Sequence, residues 1–376
     1  MKYLVPLFLS AALLYMFSFS EPLQKGYTLE ELRALYSSGD KSKWPKPHLF
    51  DEAKENFQDI GVLPKFSFPK DNPYSKEKEE LGKKLFFDPR LSGSGQISCA
   101  SCHDPELLWA DARRVAYGHD RQLGTRNTPS LINIAYATAL FWDGRAEDLE
   151  TQVKSPIENP VEMNLHSRIA TKRIKRIKGY REHFEAAFGD AKITQERIAQ
   201  AIATFERTIR SPKTRFDKFI EGDSSQLTDS ELNGMHLFRT KANCINCHNT
   251  PYFSDQKFHN LGLTYFQRDQ YEDLGLYGVS KNPEDIGKFK TAPLREVSRT
   301  APYMHNGLFP HLRGVLNMYN AGMPNEKIKP GTAYGPKKSQ MLKKLDLSES
   351  ELQDLENFLE SLHSTQYKMR APELPK

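Results

Sequence analysis

Hydrophobic and polar positions along most of the chain recur with the period of an α-helix. Apolar residues recur every three or four positions over residues 168–188, where Gly189 follows, and again over residues 193–209. Near the end of the chain, Ser348 and Glu351 form a capping-box pattern ahead of an amphipathic run. The apolar positions of that run are Leu352, Leu355, Phe358, Leu359 and Leu362. Strand patterns are scarce, so the sequence predicts a mostly α fold.

Two segments of the chain share a weak internal repeat. Gly-x-x-Leu-Phe occurs at residues 82–86 and again at 234–238, and each copy leads into a Cys-x-x-Cys-His motif. Thr228 and Glu231, another capping-box pattern, precede the second copy. The repeat predicts two copies of one unit, which consists of a helix, a loop and the cysteine motif.

The two cysteine motifs predict covalent haem attachment. They are Cys99-Ala100-Ser101-Cys102-His103 and Cys244-Ile245-Asn246-Cys247-His248. In this motif the two thiols add across the vinyl groups of a haem, and the histidine binds the iron. All four cysteines belong to the motifs, so none remains for a disulfide or a nucleophile. A zinc ribbon or a redox dithiol is the alternative, but the pairs lie about 145 residues apart and a histidine follows each. We therefore predict two covalently bound c-type haems.

The length and charge of the chain limit what else it can be. Its 376 residues suit two domains of moderate size, each with its own core. The composition is globular, with 38% hydrophobic and 27% charged residues. The formal charge is only +5, which the propionates of two haems would nearly cancel. We therefore expect no nucleic-acid partner.

Residues 1–20 are typical of a secretory signal peptide. A single lysine precedes an almost uncharged apolar run over residues 4–19, and small residues stand at the −3 and −1 positions of a cleavage site after Ser20. The alternative is an uncleaved tether, although a run of about 16 residues is short for a membrane span. Either way, we expect a periplasmic or otherwise exported protein.

Residues 21–72 are polar and rich in proline, and we interpret them as an extension that lies over the first haem domain.

Glu162 and Gln152 are candidates for peroxide chemistry. Splitting a peroxide requires a group that takes the proton from one oxygen and returns it to the other, and a glutamate held over a haem can do this. Gln152 could position the peroxide or a water. Taken alone, Glu162 would more often be a surface or ion-paired carboxylate. His119, in a polar loop after the first motif, is a further, unspecific candidate.

Several blocks of the chain together resemble the bacterial di-haem cytochrome c peroxidase family, which includes the MauG-type enzymes. The blocks are LFFDPRLSGSG at 85–95, GHDR at 118–121, RNTPSL at 126–131, FWDGR at 141–145, NPVEM at 159–163 and TAPYMHNG at 300–307. The resemblance covers residues 73–362. It implies two cytochrome c-like helical domains packed across a shared interface, over residues 73–224 and 225–365, with a tail at 366–376.

The resemblance also implies roles for residues around the first haem. His103 matches the proximal ligand of the peroxidatic haem, and Glu162 with Gln152 matches its distal acid/base pair. Trp142 matches the aromatic residue between the haems that helps electrons to cross. His119 matches a residue that, in some members, binds the peroxidatic iron at rest and leaves when the other haem is reduced.

Around the second haem, the resemblance makes His248 the proximal ligand of the electron-transfer haem. Asn127, with the backbone carbonyls of Thr300 and Pro302, matches the ligands of a calcium ion between the domains. Oxygen ligands suit this hard cation.

The distal ligand of the second haem is where the sequence departs from the peroxidases proper. Those enzymes have a methionine 14 residues after the histidine that His305 matches, and here that spacing leads to Tyr319. MauG-type members have tyrosine at this place, so we predict Tyr319 as the ligand, with Met318 as the alternative. Methionine raises a haem potential, whereas a phenolate stabilises ferric iron. Tyrosine therefore argues against easy reduction by an ordinary c-type cytochrome.

These features together predict an exported di-haem peroxidase. It would reduce hydrogen peroxide to water with electrons from a small c-type cytochrome or another redox protein. One alternative is a MauG-like oxidase that acts on a protein substrate through a high-valent state. Another is a non-catalytic electron-transfer or redox-sensing protein, which would have no need of the segment from Gln152 to Glu162. A homodimer stays open.

Overall fold

The computed structural model describes residues 26–268, 270–365 and 369–376, so the predicted signal at residues 1–20 lies outside the described residues. The predicted mostly α fold is confirmed. The helices are α1 (Leu29–Tyr36), α2 (Asp51–Lys54), α3 (Lys76–Phe86), α4 (Leu149–Gln152), α5 (Lys154–Glu158), α6 (Ser167–Arg176), α7 (Tyr180–Phe188), α8 (Gln195–Glu206), α9 (Arg215–Ile220), α10 (Asp229–Arg239), α11 (Tyr277–Ser280), α12 (Leu312–Asn320) and α13 (Glu349–Glu360). Strands β1 (Phe258–Asn260) and β2 (Lys288–Lys290) form an antiparallel pair. Of the described helices, none combines the length and apolar character needed to cross a bilayer.

The two copies of the internal repeat form the same helix crossing. In the first copy α3 crosses α8, and in the second α10 crosses α13. A Cβ atom on Gly82 would stand 1.9 Å from the Ala201 carbonyl oxygen of α8. A Cβ atom on Gly234 would stand equally close to the Asp354 carbonyl oxygen of α13. Because no side chain fits between these backbones, both crossings require glycine.

Two large clusters of buried apolar side chains form most of the core, and a third, small cluster consists of Leu140, Ala146, Leu149 and Ala203. The first cluster extends along the chain from Leu81 to Ile209. The second extends from Phe216 to Leu362 and includes four buried residues of the N-terminal extension, which are Leu32, Tyr36, Trp44 and Ile60. The chain therefore passes from one cluster to the other between Ile209 and Phe216. Each large cluster carries one of the two cysteine motifs at its margin, because Cys99 packs on the first and Cys244 on the second.

The N-terminal extension contacts both halves of the chain, so the expectation that it lies over the first haem domain is right only for its later part. There the Tyr136 hydroxyl donates to the Pro64 carbonyl at 2.7 Å, and Asn72 Nδ2 donates to Glu150 Oε1 at 2.6 Å. The earlier part, from Leu32 to Ile60, packs against the second cluster.

The contacts of this earlier part centre on the buried side chain of Arg239, at the end of α10. This guanidinium donates to the Tyr36 hydroxyl at 2.9 Å and to the Pro45 carbonyl at 2.7 Å, and it pairs with Asp59. A buried arginine needs such partners, because an unpaired charge is costly to bury.

The helix predicted over residues 168–188 is two helices, because the C-terminus of the chain crosses it between α6 and α7. The Gly179 N–H donates to the Lys376 carbonyl at 2.9 Å. Arg90 donates to the Pro375 carbonyl at 3.0 Å from the other side. A Cβ atom on Gly179 would lie 2.9 Å from Pro375 Cβ, so glycine makes room for the crossing segment.

Candidate functional site

The first cysteine motif forms a tight turn that leaves one histidine nitrogen free. Cys99–Ser101 is a 3-10 turn, and the N–H groups of Cys102 and His103 donate to the Cys99 carbonyl at 3.2 and 2.9 Å. The His103 Nδ1–H donates to the Trp109 carbonyl at 2.9 Å, which leaves Nε2 for an iron. Burial lowers the pKa of His103 and so favours the neutral imidazole that binds metals.

The second motif repeats this geometry. Cys244–Asn246 is again a 3-10 turn, and the His248 N–H donates to the Cys244 carbonyl at 2.9 Å. The His248 Nδ1–H donates to the Phe253 carbonyl at 3.1 Å, and burial lowers the pKa of His248. Both histidines are therefore oriented as haem ligands by a backbone carbonyl a few residues further along the chain.

Seven buried side-chain polar atoms of the described residues lack hydrogen-bond partners, and three of them belong to segments that the family resemblance places around the haems. Within the described part of the chain, His119 Nδ1, His305 Nε2 and Asn306 Nδ2 are buried and make no hydrogen bond. Buried polar atoms are rarely left unpaired, and haem propionates or an iron would supply partners. All four cysteines are free thiols. The residues present thus fit two covalently attached haems.

The carboxylate of Glu162 lies on the side of the first motif. Burial raises the pKa of the Cys99 and Cys102 thiols. Among nearby acids, Glu206 raises the pKa of Cys99 most and Asp111 that of Cys102, and Glu162 adds a smaller effect on both. Burial also raises the pKa of Glu162 itself, against the opposing effects of Asn159 and Arg145. Asn159 Nδ2 donates to Glu162 Oε1 at 2.7 Å and fixes the carboxylate. The structure therefore places a buried, oriented acid with a raised pKa beside the first haem motif.

His119 is next to Glu162 in the structure, although the two are far apart in the sequence. The His119 N–H donates to the Glu162 carbonyl at 2.7 Å. A Cβ atom on Gly118 would stand 1.9 Å from the Val161 carbonyl oxygen, so glycine allows the two loops to touch. Gln152 ends α4 and is half-buried, and no hydrogen bond joins it to Glu162 among the described residues.

Trp142 lies at the junction of the two core clusters. Its indole N–H donates to the Asn127 carbonyl at 2.9 Å, and its own carbonyl accepts from the Lys290 N–H at 2.9 Å. Its ring makes an edge contact with His305, with centroids 6.4 Å apart. His305 in turn stacks on Phe289 of β2 at 3.6 Å. An aromatic series therefore leads from the first half of the chain into the second.

The residues predicted to bind calcium lie at the same junction. The buried Asn127 donates from its N–H to the His305 carbonyl at 2.7 Å, which joins it to the loop that carries Thr300 and Pro302. Its side-chain amide Nδ2 donates to the Arg113 carbonyl at 2.8 Å. Because Nδ2 is used in this way, Oδ1 is the atom that Asn127 can offer to a cation.

Tyr319 faces the second motif. Both Tyr319 and Met318 are half-buried in α12. Burial raises the pKa of Tyr319, and the thiols of Cys247 and Cys244 are close enough to raise it further. Neighbouring residues of a helix point about 100° apart, so Met318 cannot share this direction. A strongly raised pKa also means that only a close cation would hold the side chain as a phenolate.

Two further features of the site were not predicted from the sequence. Arg126 pairs with Asp143 in the first half and with Asp273 in the second, so it bridges the junction beside Trp142. Asp255 and His259 form an ion pair of 2.7 Å next to Cys247. The pairing of Asp255 and His259 at i and i+4 is visible in the sequence, but nothing there indicates that it lies against the haem motif.

Comparisons with known proteins agree on one family. The model of the family described as di-haem cytochrome c peroxidase matches residues 76–225. Cytochrome-c peroxidase IdrP1 from Pseudomonas sp. (strain SCT) is 38% identical over 331 residues, which cover 81% of this chain and 85% of that protein. Methylamine utilization protein MauG from Methylophilus methylotrophus is 38% identical and covers 82% of this chain and 88% of its own. A crystal structure of a MauG-like protein associated with microbial copper homeostasis superposes with a TM-score of 0.72 at 33% identity, over 81% of this chain and 94% of that one.

Proposed function

Because the chain belongs to the di-haem cytochrome c peroxidase family, we propose that it is an exported peroxidase that reduces hydrogen peroxide to water at its first haem. The electrons would come from a small c-type cytochrome or a similar redox protein. The chain is an oxidoreductase of the di-haem peroxidase type. Hydrogen peroxide as the oxidant, a cytochrome as the electron donor and the roles of individual residues are what we propose. The observation that carries it is the position of Glu162, a buried acid beside the first cysteine motif.

The chain would hold its haems through the two motifs. Cys99 and Cys102 would form thioethers to the first haem and Cys244 and Cys247 to the second. When bound, the haems supply one iron that binds peroxide and another that stores an electron. The free Nε2 atoms of His103 and His248 are the proximal ligands in this proposal.

Glu162 would move the proton that O–O cleavage requires. Burial raises its pKa, so it holds a proton at higher pH than an exposed glutamate does, which suits a group that must both take up and release a proton. Asn159 holds one carboxylate oxygen at 2.7 Å, so the other oxygen is free to face the peroxide. Gln152, whose side chain makes no hydrogen bond to the described residues, would position the peroxide or a water. His119 would occupy the same side at rest and move away on activation.

Electrons would cross between the haems through Trp142. Its indole N–H donates to the Asn127 carbonyl of the first half, and its ring contacts His305 of the second half. A calcium ion bound by Asn127 and by the carbonyls of Thr300 and Pro302 would hold the two loops together at this point.

A second candidate function is favoured by one observation, the direction of Tyr319. A tyrosine ligand on the second haem would stabilise its ferric form and make reduction by an ordinary cytochrome unfavourable. In that case the chain would be a MauG-like oxidase, and its physiological partner would be a protein substrate instead of a cytochrome donor.

The variant Glu162→Gln tests the proposed function. It keeps the size of the side chain and the contact to Asn159 but cannot exchange a proton. We expect peroxide reduction to fall by about 100-fold or more, the usual worth of general acid/base catalysis. Glu185→Gln, on the exposed face of α7, is the matched control and should retain full activity. Wild-type turnover of Glu162→Gln with both haems loaded would contradict the proposal.

A further inference from the structure

A cavity of about 440 Å³ lies beside the second cysteine motif. Its walls come from four parts of the chain, which are the N-terminal extension around α2, the segment from the motif to β1, Lys288 of β2, and residues 337–341. Several hydrogen bonds fix the extension there. The Phe50 N–H donates to Asn246 Oδ1 at 2.8 Å, and the Thr250 N–H donates to the Gln58 carbonyl at 2.7 Å. The extension therefore completes a site at the second motif.

The cavity comes close to the sulfur atom that would hold the second haem. His259 and Asp255 line it, and His259 Nε2 and Asp255 Oδ2 are 2.7 Å apart. Cys247 Sγ, a carboxylate oxygen of Asp255 and a ring nitrogen of His259 lie within 4.8 Å of one another. A molecule in the cavity that touches the His259 ring would thus be a few ångströms from the thioether of Cys247. This separation is short enough for electron transfer.

The first motif lacks the same arrangement. Asp111 corresponds to Asp255, because each stands two residues after the residue whose carbonyl accepts from the proximal histidine. Asp111 accepts from the Thr128 hydroxyl at 3.1 Å, whereas Asp255 accepts from His259. The pairing of an aspartate with a histidine next to the cysteine motif therefore occurs in the second unit and not in the first. It is not a feature of the internal repeat.

The lining of the cavity suits a small molecule with several hydroxyl groups. Asn249 is only 6% exposed, lines the cavity, and makes no side-chain hydrogen bond to any described residue. An amide that faces the cavity without a protein partner can both donate to and accept from a ligand. Lys257 and the exposed carboxylates of Glu52 and Glu55 bring both signs of charge to the rim, and Phe258 supplies an apolar face. A pocket of this size with convergent polar groups is typical of small-molecule sites.

We propose that this cavity binds a small hydroquinone or enediol, which delivers electrons to the second haem past His259 and Cys247. The inference rests on the proposed function, because it needs a haem at Cys247 and a peroxide that takes up the electrons. Two oxygen atoms conjugated through carbon–carbon double bonds are the shared chemistry of both donors. As the two C–O single bonds become C=O bonds, hydroquinone loses two electrons and two protons, and ascorbate, an anion at neutral pH, loses two electrons and one proton, so that peroxide takes its remaining proton from solvent. One hydrogen peroxide takes two electrons and two protons and becomes two waters. The protons released by the donor leave to solvent at the open rim.

The test uses the haem-loaded full chain and measures haem reduction without peroxide. Hydroquinone and ascorbate are mixed with the ferric protein in a stopped-flow spectrometer, and the reduction rate of the second haem is followed against donor concentration. We expect saturation with at least one donor, and the donor that saturates identifies the class. Resorcinol, a dihydroxybenzene that is not readily oxidised, should bind to the ferric protein in a calorimeter and should compete with that donor.

Ser339→Trp fills the cavity from its outer wall, and Ser224→Trp, in an exposed loop outside the cavity, is the matched control. We expect Ser339→Trp to abolish saturation and to lower the reduction rate at least about tenfold, while Ser224→Trp behaves as wild type. Asn249→Ala is the second variant and should weaken resorcinol binding about fivefold through a lost hydrogen bond. A rate that stays linear in donor concentration, with no resorcinol binding, would overturn the proposal.

The same samples separate failure of the cavity from failure of the peroxidase function. Chemically reduced Ser339→Trp should react with peroxide as fast as the wild type, because the first haem is untouched. If reduced wild-type protein does not react with peroxide, the proposed function fails even where hydroquinone reduction saturates. If peroxide reacts but neither donor saturates, the peroxidase proposal stands and the cavity proposal fails.

Discussion

Arg126 is the clearest link between the two halves of the chain, and its removal should loosen the junction around Trp142. Its guanidinium donates to Asp143 of the first half at 2.5 Å and to Asp273 of the second half at 2.6 and 2.8 Å. The next residue, Asn127, accepts the indole N–H of Trp142. In Arg126→Met, Asp273 loses its cation, while Asp143 keeps its contact with Arg145 at 3.0 Å.

The expected cost follows from the burial of these groups. Leaving one charge of a buried pair without its partner costs about 3–5 kcal/mol. The side chains of Arg126 and Asp273 are 22% and 15% exposed to solvent, so solvent still screens part of their interaction. We therefore expect the free energy of unfolding to fall by about 2–3 kcal/mol in Arg126→Met. The double variant Arg126→Met/Asp273→Asn should recover part of this loss, because it removes the uncompensated charge.

The loss should also depend on pH. Burial alone would raise the pKa of Asp273, but the hydrogen bond and charge of Arg126 lower it below its ordinary value of 3.8. In the wild type this stabilisation is present above pH 3.8 and disappears as the pH falls through the lowered pKa. In Arg126→Met the Gly275 N–H still donates to Asp273 at 2.9 Å, but the largest opposition to burial is gone, so Asp273 takes up a proton at higher pH than in the wild type. The destabilisation should therefore be largest near pH 7.5 and smaller near about pH 5.

Urea unfolding of the haem-loaded variants, followed by far-UV circular dichroism, measures these effects. Arg181→Met, an exposed arginine of α7, is the matched control and should change the unfolding free energy by less than about 0.5 kcal/mol. If Arg126→Met also lowers the free energy of unfolding by less than about 0.5 kcal/mol, or if adding Asp273→Asn restores none of the lost stability, the reasoning is refuted. Electron transfer between the haems should slow in Arg126→Met, since the position of Trp142 depends on this junction.

Two further predictions concern the ligands of the haem irons. Tyr319→Phe should change the low-temperature EPR signal of the haem held by His248, and Met318→Leu should not. The reverse pattern would make Met318 the ligand and favour a cytochrome donor. If His119 binds the first iron at rest, ferric wild-type protein should react slowly with peroxide until it is partly reduced, and His119→Ala should react at once. Equal rates for the two ferric proteins would exclude a resting ligand at His119.

Much of the local structure could be predicted from the sequence, because its causes are local. The capping boxes at Thr228 and Ser348 are present as expected, since they depend on residues three positions apart. The repeated glycines at Gly82 and Gly234 indicated two equivalent units, and both prove to be backbone contacts between crossing helices.

The parts that could not be predicted depend on residues far apart in the chain. The earlier part of the extension packs on the second cluster because Arg239 pairs with Asp59, 180 residues earlier, and no periodicity reports such a contact. The helix over 168–188 is broken because the C-terminus at Lys376 crosses at Gly179, although the apolar pattern continues through the break. The bridging role of Arg126 is likewise a property of the assembled junction.

The most direct test of the central claim is a single reaction with hydrogen peroxide. The haem-loaded protein is reduced at both haems and mixed with one equivalent of hydrogen peroxide, and the ferrous absorption bands of the two haems are followed by stopped flow. The account predicts that one peroxide oxidises both haems, with the second haem losing its electron through the first. Ferrous bands that persist in the presence of peroxide would contradict it, and they would show instead a protein that only carries electrons.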